Sequence, residues 1–130
     1  MVVGVDLVEV SEVLGSIERI GDRYVRRLFT EDEIAYCRSR PEAQAMRFAA
    51  RFAAKEATIK VLRAEARPDF RAIEVRRSPV GWCDLVLHGA AKEMAKEAGI
   101  DGLSLSMSHE PSYATAVVIA RRRNRRRRGL

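Results

Sequence analysis

Hydrophobic positions along the chain switch between a period of two and a period near 3.6, and the switches predict five strands and four helices. Residues 2–8 are valine-rich and alternate loosely, which predicts a first strand, with Gly4 allowing close backbone approach and Asp6 an acid inside it. From 9 to 20, Val10, Val13, Leu14 and Ile17 recur at helical spacing and stop at Gly21, an amphipathic helix. Thr30 and Glu33 have the spacing of a capping box, opening a short helix that ends before Pro41. Residues 70–77 and 82–88 read as a hairpin around the turn Ser78-Pro79-Val80-Gly81, with His88 a structural histidine at its end. Residues 90–98 form an alanine-rich helix closed by Gly99, and 103–108 and 113–120 two final strands. In the first of these, Leu103, Leu105 and Met107 line an apolar face and Ser104, Ser106 and Ser108 a hydroxyl face, which His109 is expected to end. Strands linked mostly as hairpins argue for an α+β domain whose antiparallel sheet is packed by helices.

The most informative segment is a central helix over residues 47–63, RFAARFAAKEATIKVLR, free of Pro and Gly and roughly 25 Å long. Projected at about 100° per residue, its apolar side chains form two stripes, Phe48, Phe52, Ile59 and Leu62 on one and Ala50, Ala53, Ala54 and Ala57 on the other. Arg47, Arg51 and Thr58 collect where a half-buried helix places solvated groups. Glu56, Lys60 and Arg63 lie opposite, wedged between the apolar stripes, so they belong in a cleft or at an interface. Glu56 and Lys60 have the spacing of a helical ion pair, and two readings follow. The pair is structural, or the carboxylate holds a divalent metal while the ammonium neutralises an anionic substrate.

Composition narrows the class. With 130 residues, 47% apolar and 32% charged, the chain suits one globular domain. It has no apolar run long enough to span a bilayer, and an acid interrupts its start before a signal-peptide core could form, so a cytoplasmic protein is expected. Cys37 and Cys83 have no partner at metal-ligand or redox-motif spacing and read as reduced thiols. The net charge of +6 is concentrated: seven arginines lie in RRRNRRRR at 121–128, and the 24 basic residues less these seven leave 17 against 18 acidic. The expected division is therefore a domain over 1–120 and a disordered, arginine-rich tail over 121–130. Such a tail would attract nucleic acid. The body disfavours that role, having neither a helix-turn-helix pattern nor a basic-aromatic platform.

The run Phe52-Ala53-Ala54-Lys55-Glu56-Ala57, with Lys60 four residues after the Glu, resembles the central motif of holo-acyl-carrier-protein synthases, the small 4'-phosphopantetheinyl transferases. Gly4-Val5-Asp6 and Ser106-Met107-Ser108-His109 are similar to two further blocks of that family, in the same order and at family-like spacing. The resemblance implies the 4'-phosphopantetheinyl transferase fold, a homotrimer with sites between subunits, and Mg²⁺-dependent transfer of 4'-phosphopantetheine from coenzyme A to a serine of an apo acyl carrier protein. It implies Asp6 and Glu56 as metal ligands, one of them taking the serine proton, and Lys60 as the cation acting on the leaving phosphate. Arg51, Lys55 and His109 become anion contacts for coenzyme A, and Arg23 and Arg27 carrier contacts. The chain departs from the family pattern at Glu12, where Arg is common, and at Gly81-Trp82-Cys83, where Gly-x-Pro is common. A metal-dependent nuclease or phosphohydrolase would also want paired carboxylates and a lysine, but would not account for the three blocks together.

Overall fold

The computed structural model describes residues 1–123. Along them run β1 (Val2–Glu9), α1 (Val10–Ile20), α2 (Asp22–Leu28), α3 (Glu31–Arg38), α4 (Gln44–Leu62), β2 (Ile73–Arg77), β3 (Cys83–Leu87), α5 (Gly89–Glu97), β4 (Ile100–His109) and β5 (Tyr113–Arg122). Single 3-10 turns lie at Pro41–Ala43 and Phe70–Ala72. The architecture is α+β with every strand pairing antiparallel, in two sheets: three strands in the order β1-β5-β4, and the β2–β3 hairpin. Among the described residues no helix is long and apolar enough to cross a membrane.

Helix α4 is central because its apolar residues pack in two directions, divided by position along the helix and not by the two stripes. Ala53, Ala54, Ala57 and Val61 pack on the inward side chains of the larger sheet, Val2, Ala116, Val118 and Ala120. Phe48, Ala49 and Ala50 pack instead among Val10, Val13, Val25, Phe29, Ile34 and Cys37 from the first three helices, with the Phe48 and Phe29 rings 4.8 Å apart. Small residues on both sides let helix and sheet approach closely. A Cβ on Gly4 would lie 2.3 Å from the Ala57 carbonyl oxygen, so only glycine fits where β1 crosses the helix.

Three expectations need correction. Helix α2 is too short, at seven residues, for its period to be visible, and it buries only Val25. The face of α4 holding Arg51 and Thr58 is not solvated, for both are buried. Helix α3 and the hairpin strand β2 pack against α4, and the Tyr36 ring from α3 meets Arg47 and Arg51 of α4 and Arg77 of β2. Strand β5 also runs past residue 120: Arg121 pairs with Gly102 and Arg122 with Ile100, and the Arg121 guanidinium bonds Asp101 at 2.8 Å. Two of the tail arginines are thus ladder residues. Arg123 follows them and donates its backbone N–H to the Gly99 carbonyl at 2.7 Å; the remaining expectation of disorder concerns residues 124–130, which lie outside the described part of the chain.

Candidate active site

Asp6 lies on β1 two residues after Gly4, on the side of the strand that faces α4. Because Gly4 brings the strand against the helix, Asp6 comes beside Lys60. The Lys60 Nζ donates to the Val5 carbonyl at 2.7 Å and lies 3.3 Å from Asp6 Oδ1. On the neighbouring strand, the Thr115 hydroxyl donates to the Asp6 carbonyl at 2.8 Å. Glu56, one turn before Lys60 on α4, does not pair with it. Its Oε1 accepts from Arg67 Nη2 at 2.9 Å, and Arg67 comes from the connection after the helix. The i,i+4 pair that the spacing allows is thus replaced by two pairs to other elements. Each carboxylate is partly open to solvent, with 17% of the Asp6 side chain and 23% of the Glu56 side chain exposed.

A second cationic group lies on another face of α4. Arg51 is buried with its guanidinium 4.4 Å from the Tyr36 ring centre, Arg47 sits 4.2 Å from the same ring, and Arg77 5.5 Å. Arg47 is held by the Tyr36 carbonyl and the Ser39 hydroxyl. Arg51 differs, for its buried Nε has no hydrogen-bond partner among the described residues. It lines a cleft of about 370 Å³ with Tyr36, Arg76 and Arg77. A buried donor without an acceptor is costly, so an acceptor arriving from outside the chain would relieve it.

Lys55 is not an anion contact. It is fully buried, and its ammonium donates to Glu33 Oε1 at 2.8 Å, to the Phe70 carbonyl at 2.9 Å and to the Ile73 carbonyl. An ammonium has three donors, and all three are taken. Burial pushes its pKa down and the Glu33 charge opposes that. Glu33 in turn does more than close the capping box with Thr30, since its Oε2 accepts from the Val75 backbone at 2.9 Å. Beside this pair lies Glu74, which takes hydrogen bonds from Thr30 at 2.8 Å and His88 at 2.9 Å. The structural reading of His88 is consistent with that.

His109 also departs from expectation. It pairs with Ala114, a buried inward residue, so it shares the face of Met107 rather than of the serines. Asp6 pairs with Ala116 and lies two strands away, and more than about 10 Å separates the two Cα positions. His109 is exposed and does not join the Asp6–Lys60 group. Cys37 offers no nucleophile, because burial pushes its thiol up to about 12.

Residues 2–118 match the model of the 4'-phosphopantetheinyl transferase superfamily. The holo-[acyl-carrier-protein] synthase of Koribacter versatilis is 44% identical over 118 residues, 89% of this chain and 94% of the relative. Among solved structures, the ACPS–CoA complex of Chronobacterium ammoniagenes superposes with a TM-score of 0.83 at 30% identity, covering 95% of this chain and 98% of that one. The Helicobacter pylori holo-[acyl-carrier-protein] synthase in complex with coenzyme A gives 0.79 at 27% identity, covering 92% and 100%. With nearly its whole described length matched in sequence and in fold, the chain belongs to the 4'-phosphopantetheinyl transferase superfamily.

Proposed function

We propose that the protein is a holo-[acyl-carrier-protein] synthase, transferring 4'-phosphopantetheine from coenzyme A to a serine hydroxyl of an apo acyl carrier protein and releasing adenosine 3',5'-bisphosphate. The observation that carries the assignment of the site is the meeting of Asp6 and Lys60, with Glu56 one helical turn away. The serine oxygen forms a bond to the phosphorus bearing the pantetheine arm, and the bond from that phosphorus to the bridging oxygen breaks. Asp6 or Glu56 takes the serine proton. Lys60, held by the Val5 carbonyl, presents its ammonium to the charge gathering on the departing phosphate.

Mg²⁺ fits the residues present, since two partly exposed carboxylates on touching elements supply hard oxygen donors and leave room for phosphate and water. Asp6 and Glu56 would hold it, and it would there supply Lewis-acid neutralisation of the phosphate oxygens. Arg51, through its unpartnered Nε, suits a further phosphate of coenzyme A, and His109, exposed at the end of β4, suits another. Support for a homotrimer comes from the side of the larger sheet away from α4, where Val3, Val5, Leu7 and Ile119 are exposed. An apolar sheet face of this kind is stabilised by a second chain. Arg23 and Arg27, exposed and one turn apart on α2, suit an acidic carrier. The two free thiols, Cys37 and Cys83, agree with a cytoplasmic setting.

The deciding experiment incubates an apo carrier with protein, coenzyme A and Mg²⁺ and weighs the carrier. A gain of one phosphopantetheinyl group is expected, lost in Asp6→Ala and Glu56→Ala. A carrier of unchanged mass with every candidate tried would remove the assignment.

A further inference from the structure

Both carboxylates assigned to the metal already hold a cation of the chain itself, and the two cations are tethered differently. Lys60 has a second anchor, its 2.7 Å bond to the Val5 carbonyl, so it stays in place when Asp6 turns to another partner. Arg67 has no comparable anchor. Its side chain is 62% exposed, Glu56 is its sole hydrogen-bond partner among the described residues, and its guanidinium stands 6.0 Å from the Phe70 ring centre. It sits in the connection over residues 63–69, whose members Arg63, Ala64, Glu65 and Ala66 are exposed and which Pro68 fastens to the core just after it.

A guanidinium on Glu56 Oε1 takes part of the carboxylate's capacity and sets a positive charge beside any incoming cation. A divalent metal at Glu56 therefore competes with that charge for the carboxylate. Once moved, the guanidinium seeks another anion, and bidentate recognition of phosphate oxygens suits its planar fork. We propose that Arg67 is a resident counter-cation of Glu56 which the metal displaces toward the phosphates of the nucleotide substrate, so that metal and nucleotide bind cooperatively. The inference rests on the assignment of Glu56 to the metal. Linkage makes it reciprocal: nucleotide raises metal affinity by the factor by which metal raises nucleotide affinity.

The test measures Mn²⁺ binding to the full chain by electron paramagnetic resonance, with and without adenosine 3',5'-bisphosphate. Arg67→Gln should bind Mn²⁺ about 1.5- to fivefold more tightly than the parent when nucleotide is absent, a range set by an exposed ion pair. The same variant should gain less from added nucleotide, whereas Arg67→Lys should keep most of the gain. Equal Mn²⁺ affinities for parent and Arg67→Gln under both conditions would overturn the role of Arg67. Glu56→Gln separates the two ideas. If it loses Mn²⁺ while Arg67→Gln is unchanged, the metal assignment stands and the inference on Arg67 fails. If it binds Mn²⁺ like the parent, the metal assignment fails and takes this inference with it. Because Arg67 is exposed, its variants are expected to melt with the parent.

Discussion

Replacing Lys55 by Met should destabilise the protein without a selective effect on coenzyme A. In the folded chain the ammonium sits with Glu33 in a site that is closed to solvent on both sides, and two backbone carbonyls share it. Removing one partner of a buried pair leaves the other charged and unpaired, a cost of about 3–5 kcal/mol. Against total stabilities of roughly 5–15 kcal/mol, that is a large fraction. Urea denaturation followed by circular dichroism should show a midpoint shifted by the corresponding amount with little change in slope. The double variant Lys55→Met, Glu33→Gln should recover part of the loss, because the second change removes the stranded charge. A Lys55→Met protein as stable as the parent but weak in coenzyme A binding would refute the reasoning and return Lys55 to the phosphates.

Gly4→Ala puts a methyl group 2.3 Å from the Ala57 carbonyl, so β1 must leave α4; a loss of about 1–3 kcal/mol is expected, with turnover falling as Asp6 parts from Lys60. Parent-like turnover in that variant would show that the close crossing is dispensable. For Glu74, burial pushes the carboxyl up, but the bonds from His88 and Thr30 and the charge of Arg76 outweigh it and hold it below its ordinary 4.5. Its contribution to stability is therefore present above 4.5 and lost as pH falls through the lower folded value, so Glu74→Gln should flatten the acid limb of a stability–pH curve. Removing residues 124–130, which hold four arginines, should raise the KM for an acidic carrier at low salt, leave that for coenzyme A unchanged and matter little at high salt. Equal carrier kinetics at low ionic strength would leave those arginines without that role.

Much of this was legible from periodicity, and the failures have a common cause. Elements with several repeats of their period, such as α1 and α4, stand within a few residues of where the pattern puts them. The seven residues of α2 contain too few turns to do so. A helical projection orders side chains around α4 but does not say what covers each face. Lys55 and Arg51 look like free cations until α3 and the hairpin are laid over them. Glu33 was fully explained by its capping box, which concealed its second partner across the core. Arg67 left no signal, because pairing from an irregular connection follows no period. Arg121 and Arg122 were read with the charge run that follows them, and their membership of β5 depends on an open ladder position beside β4. Asp6 is marked only by the resemblance of its block, since a single acid in a strand is more often a cap or an edge residue.

The strand order β1-β5-β4 has a bearing on how the chain comes to be folded. Among the described residues, β1 has one hydrogen-bonding neighbour, β5, which begins at Tyr113 and is made long after β1. Until then Val2, Val3, Val5, Leu7 and Val8 form an unpaired, apolar ribbon, able to pair with any other open edge it meets. Local helices can form and collapse early, but closure of the sheet must wait for contacts more than a hundred residues apart in sequence, such as Val2 with Ala120. Residues 2–8 are thus the stretch of this fold whose backbone groups wait longest for their partners.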